Sequence, residues 1–261
     1  MRTSLILVVL AACGVNQTPQ PEAPPVVPSC VPNRDGVITA DELPVAYGAV
    51  ASYYVGTNRT VNLAGDSGRW DLSEERPDDD VIALGPTPLH DQWYAAMFPT
   101  GQFAVDAGGG LDGIYHQDAQ ALWLDGTASQ AQAPRTLIRY TDPVAVLRFP
   151  VTDGDAYATT GQIAAGVVSD LPFIGTDQID VDVTGEGRLD VPYVRFSPVL
   201  RVRTHVVRTP STGTPAVGRR TTLFLFECFG EVARAESKQD EASPDFTTAA
   251  YLRRFALGVT P

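Results

Sequence analysis

The feature that most constrains this chain is an alternation of period two, interrupted at short intervals by turn residues. From Val45 onward, runs rich in β-branched and aromatic residues follow one another at 49–54, 60–63, 92–97, 113–115, 121–124, 136–140 and 145–149. A second set lies at 180–183, 199–208, 221–229 and 231–235. Successive side chains of a strand point to opposite faces. Leu200, Val202, Thr204 and Val206 therefore share one face, and Arg201, Arg203, His205 and Val207 the other. In 221–229, Leu223, Leu225 and Glu227 alternate with Phe224, Phe226 and Cys228, so both faces are largely apolar. A strand of that kind belongs in the middle of a sheet.

Turn chemistry supports the same reading. Asp125-Gly126, Asp153-Gly154 and Gly185-Glu186-Gly187 offer residues that tolerate positive φ. No long stretch has a 3.6-residue period, and helix is expected only as one turn at 39–43. In the tail, Tyr251, Arg253, Phe255 and Leu257 alternate, which predicts a last strand pairing with 231–237 across the polar turn 238–245. The expected fold class is mainly β: an antiparallel sheet curled into a half-open barrel or open sandwich, with little helix.

The N-terminus reads differently. Arg2 is followed by an apolar run at 5–10 and then by Leu10-Ala11-Ala12-Cys13, which resembles the lipobox of bacterial lipoproteins. The apolar run is far shorter than the roughly 20 residues of a spanning helix. The resemblance implies cleavage before Cys13, a lipid on that cysteine, and a membrane as the first partner. Gly14 lacks the Asp that retains some lipoproteins at the inner membrane, so the outer membrane of the cell envelope is favoured. Residues 14–29 are proline-rich without apolar periodicity, a passive tether of about 3.1 Å per residue. The expected organisation is signal peptide 1–12, lipidated cysteine and tether 13–29, a loop and short helix 30–44, and one antiparallel β domain 45–261.

Composition narrows the partners. A net charge of −12 argues against nucleic acid and against anionic membrane surfaces. Hydrophobic residues at 44% suffice for a core, which excludes disorder as the default. With Cys13 committed to lipid, Cys30 and Cys228 remain, and an oxidising compartment predicts that they pair.

Residues 31–42 resemble the calcium loop of EF-hand proteins. On that resemblance Asn33 and Asp35 are side-chain ligands, Gly36 the turn, Val37 a carbonyl ligand, Ile38 the apolar position, Thr39 the ninth and Glu42 the bidentate twelfth. The first position, normally Asp, is Val31, and Pro28 and Pro32 forbid an entering helix. The same residues also make a purely structural unit: Asp35-Gly36 a turn, and Thr39 with Glu42 a capping box ended by Pro44. From sequence the structural unit is favoured. No cofactor is expected, with calcium at that loop the one alternative, bound no tighter than about 1 mM.

Other chemistry-bearing residues form no constellation. Gly65-Asp66-Ser67-Gly68 echoes the serine-protease nucleophile, but no histidine precedes it. His90, His116 and His205 lack metal-ligand spacing, and His116-Gln117-Asp118 reads as a solvated hairpin turn. Asp78-Asp79-Asp80 with Glu74 and Glu75 reads as a solvated acidic loop.

Leu147-Arg148-Phe149-Pro150, Gly154-Asp155, Val199-Leu200-Arg201-Val202 and Cys228-Phe229-Gly230-Glu231-Val232 look like a broad group of bacterial envelope lipoproteins. Similar sheet wraps occur in periplasmic lipoprotein carriers, whose concave face holds acyl chains. The leading expectation is a non-catalytic envelope lipoprotein that binds or scaffolds an envelope protein. The alternatives are a carrier of an apolar ligand in the concave face and a hydrolase, the latter recognisable by a histidine meeting Ser, Asp or Glu in a cleft.

Overall fold

In the computed structural model, which describes residues 30–258, ten strands follow one another as an antiparallel meander. They are β5 (Phe103–Gly108), β6 (Leu111–Gln117), β7 (Ala121–Ser129), β8 (Leu137–Arg148), β9 (Ala156–Val168), β10 (Leu171–Val191), β11 (Val194–Pro210), β12 (Val217–Phe226), β13 (Gly230–Glu236) and β14 (Thr248–Ala256), each paired with the next. The chain then closes on its own beginning. β14 pairs with β1 (Ala51–Thr60), β1 with β3 (Asp80–Leu84), and β4 (Thr87–Pro88) with β5. The one parallel contact is β2 (Arg69–Asp71) on the far end of β10. Strand makes up 58% and helix 4% of the described residues, and the fourteen-stranded sheet is not closed into a barrel. The signal peptide, Cys13 and the tether lie outside the described residues.

The curl follows from connectivity. β3 and β4 form the two opposite edges of the sheet, yet only residues 85 and 86 separate them. Three residue steps span at most about 11 Å, so the sheet bends until its edges stand side by side. Arg253 of β14 accordingly reaches the Asp106 carbonyl of β5 at 3.5 Å, and Tyr47 Oη donates to the Gln102 carbonyl at 3.2 Å.

Each face has its own core. Phe224 and Phe226 of β12 pack with Trp70, Leu72, Phe196 and Leu252 on the outer side, under a strap formed by residues 61–72. Leu225 of the same strand joins Ile138, Val144, Ile163, Val181 and Val202 on the inner side. The expectation that this strand is central and apolar on both faces is met for 221–226, whereas 227–229, expected to continue it, form the turn into β13. A third cluster, with Tyr94 and Phe98 over Ile114 and Ala128, covers the outside of β5–β7.

Several local expectations are corrected. Residues 92–97 are not a strand but 3₁₀ turns, Leu89–Asp91 and Ala95–Met97, laid over the third core. The runs 49–54 and 60–63 contribute one strand, β1, followed by the strap, and 136–140 with 145–149 form the single bulged strand β8. Asp125-Gly126 is not a turn: it lies inside β7 at a register shift. Gly185-Glu186-Gly187 likewise lies inside β10, where a bulge opens the ladder. A side chain on Gly187 would run into the Gly68 carbonyl, so this glycine serves close approach of the strap rather than reversal. The sequence pattern missed β9, whose buried and exposed positions alternate around small residues.

Candidate functional site

Residues 30–44 are built into the sheet. Ile38, 2% exposed, forms an isolated antiparallel bridge with Val151, the two exchanging backbone hydrogen bonds of 3.0 and 2.8 Å. Cys30 and Cys228 form a disulfide with Cα atoms 5.5 Å apart. The Cys228 N–H also donates to the Glu42 carbonyl at 2.7 Å. One residue just beyond β12 therefore holds both ends of the loop.

Within the loop, side chains satisfy backbone donors in the way short polar residues do at turns. Asp35 N–H donates to Asn33 Oδ1 at 2.8 Å, and Val37 N–H to Asp35 Oδ1 at 2.9 Å. Gly36 has φ +78°, and a side chain there would meet the Glu186 carboxylate, so only glycine fits. Thr39 N–H and Oγ1 both donate to Glu42 Oε2, at 3.0 and 2.9 Å, forming the expected capping box around the 3₁₀ turn Ala40–Glu42.

Of the five residues proposed as calcium ligands, the structure brings three side chains together. Asn33 Nδ2 donates to Asp35 Oδ2 at 3.1 Å and to Glu42 Oε1 at 2.9 Å. Thr39 is occupied by the capping box, and the Val37 N–H is held by Asp35. Among the described residues no three His, Cys, Asp or Glu side chains stand at metal-ligand spacing.

Sequence reasoning missed Glu227. It is 2% exposed, and its Oε2 accepts the Arg34 N–H at 2.7 Å, directly on the loop. Its Oε1 is buried without a hydrogen-bond partner among the described residues. The signal was present: Glu227 is the one carboxylate in the apolar run 224–229, beside the cysteine.

No family model, curated protein or solved structure matches the chain. The site must be read from its own chemistry.

The remaining candidates find structural roles. His116 is in β6, not in a solvated turn; its Nδ1 lies 2.7 Å from Asp125 Oδ2, and the ring stacks on Trp123. Thr100 donates to the same Asp125, not to the imidazole. His205 faces Asp180 at 3.9 Å; burial, with Arg220 adding to it, pushes its imidazole below its ordinary range. Residues 65–68 make the expected turn into β2.

The acidic run is solvated as expected at Glu74, Glu75, Asp78 and Asp80, but not at Asp79. Asp79 is buried and pairs with Arg59 at 2.9 Å and with Arg254 at 2.6 Å, the Arg254 side chain being 3% exposed. Asp78 points outward, hydrogen-bonded to Arg59, whose guanidinium holds that carboxyl below the usual range. On the inner side, burial pushes the Glu231 carboxyl up, but the Arg234 and Arg253 guanidiniums more than offset it and hold it low.

Proposed function

We propose that this protein is a lipid-anchored, non-catalytic domain of the bacterial cell envelope, held by lipid on Cys13, that binds or scaffolds an envelope partner at the membrane surface. The observation that carries the reading is the disulfide at the junction of tether and domain. A proline-rich segment that ends in a crosslink to the β12–β13 turn transmits load from an anchor into two paired strands of the sheet. A free N-terminus has no need of that. The acidic surface fits a domain kept clear of anionic head groups by its tether.

The filled inner face supports scaffolding over carriage of an apolar ligand. Ile138, Val144, Ile163, Val181, Val202 and Leu225 pack on one another there, and the Glu231–Arg234–Arg253 cluster lies near Tyr115. An acyl chain would have to displace these ion pairs.

Cys13→Ser is expected to abolish acylation and release the protein from the membrane fraction, with the outer membrane losing most. A variant that stays as membrane-bound as the wild type would refute the anchoring.

A further inference from the structure

We propose that the loop at 31–42 and Glu227 together form a site for a hard divalent cation of the calcium type, with Glu227 standing in for the carboxylate that the loop itself lacks at Val31. The sequence supplies two carboxylates here, Asp35 and Glu42. The tertiary structure adds a third from about two hundred residues away, carried in by the disulfide.

Three observations converge. The first is the state of Glu227. A carboxylate 2% exposed has lost its water, and its compensation is a single backbone N–H at Oε2 while Oε1 has no partner among the described residues. Burying an ionised group in that condition is costly unless a counter-charge arrives. The second is where it sits. Its neighbour Cys228 is tied to Cys30 before the loop and to the Glu42 carbonyl at the loop's end. Glu227 itself accepts the Arg34 N–H, so its carboxylate lies against the loop backbone between Asn33 and Asp35. The third is Asn33. Its amide N–H₂, a neutral donor, stands about 3 Å from both Asp35 Oδ2 and Glu42 Oε1. A cation that displaces this donor is bridged by the same two oxygens, and a rotated Asn33 amide offers Oδ1 as a further ligand.

Calcium takes six to eight oxygen ligands at about 2.3–2.6 Å in a flexible cage. Asp35, Glu42, Glu227 and Asn33 supply the charged and neutral oxygens, and water completes the shell. The carboxylates are not yet gathered, so the loop closes on the ion, and the affinity is that of a weak extracellular module. One dication among three carboxylates lowers the local charge from −3 to −1 and gives the half-satisfied Glu227 carboxylate a counter-charge.

The test uses the oxidised full-length chain in detergent, stripped with a chelator and titrated with calcium chloride by calorimetry, with the melting temperature followed in parallel. One saturable site is expected, with a dissociation constant of about 10⁻⁴–10⁻³ M, together with a raised melting temperature. Glu227→Gln, which keeps the shape and removes the charge, is expected to weaken binding at least about tenfold. Asp35→Asn, at an exposed position where folding is not at risk, is expected to do the same. Asp41→Asn, in the same turn but outside the ligand set, is expected to bind like the wild type. Absence of any heat or melting shift up to about 10 mM calcium, well above the expected affinity, would overturn the proposal. So would a site that both Glu227→Gln and Asp35→Asn leave unchanged, since that would be calcium gathered on the general acidic surface.

Discussion

Two irregular stretches lie over this sheet, residues 30–44 and residues 61–80, and unlike chemistry holds them in place. The first is fixed by a covalent bond at Cys30, a β-bridge at Ile38 and a backbone hydrogen bond at Glu42. Its polar side chains serve its own turns. The second is fixed by guanidinium groups. Arg201 donates to the Leu63 carbonyl at 2.5 Å and lies over Trp70, while Arg254 reaches the Leu72 and Glu74 carbonyls and the Asp79 carboxylate. Outside the Ile38–Val151 bridge and the short pairing of β2 with β10, these segments must find partners for their backbone elsewhere. The first stretch finds them locally and adds a crosslink, whereas the second borrows buried arginines from β11 and β14. The first should therefore respond to redox conditions and the second to charge.

The largest expected effect comes from the crosslink. A loop of 198 residues closed in the unfolded chain corresponds to about 5 kcal/mol in the chain-entropy model. Cys30→Ala with Cys228→Ala is expected to cost about 2–5 kcal/mol in urea denaturation. Proteolysis should then begin at 30–44 while 61–80 stays protected. Equal loss of protection in both stretches would mean that they are not independently held.

Next comes Asp79→Ala. It leaves Arg254 buried without its carboxylate, and breaking a buried pair costs about 3–5 kcal/mol. Hydrogen exchange should quicken across 61–80 and leave 30–44 unchanged. A loss below about 1 kcal/mol, the range of surface pairs, would show that water reaches Arg254 and that the strap is held by its apolar residues alone.

The smallest expected effect is on pH. Asp78 and Glu231 have folded-state pKa values below their ordinary values of 3.8 and 4.5. A depressed carboxyl stabilises the fold above its unfolded pKa, and that contribution is lost as pH falls through the folded value. Stability should therefore be flat above about pH 5 and decline below about pH 4.5. Exchange corrected for intrinsic rates should quicken first at 61–80, and the disulfide-held loop should keep its protection. A decline beginning near neutral pH would point to histidine instead.

Much of the fold was legible because its signals are local. The alternation at 199–208 and 221–229 identified β11 and β12, and the tail pairing with 231–237 followed from Tyr251, Arg253 and Phe255 alternating beyond a polar turn. The capping box at Thr39 and Glu42 was legible for the same reason, since its partners are three residues apart. Errors arose where glycine served close approach instead of reversal, as at Gly126 and Gly187, because a sequence does not show what backbone will lie alongside. β9 was missed because Ala and Thr carry a weak strand signal, and its pairing with β10 supplies what propensity does not.

By itself the sequence determined the β class, the antiparallel pairing of the tail with 231–237 and the pairing of Cys30 with Cys228. Period two, turn residues and a cysteine count in an oxidising context act over short range or by elimination. Only the tertiary structure decided which charges are buried. Asp79 reads as one residue of an acidic run until Arg254, 175 positions away, folds against it. Glu227 reads as the polar face of a strand until the disulfide brings the loop over it. The worth of a charge depends on its solvent and its partner, and both are set by contacts that no local pattern encodes.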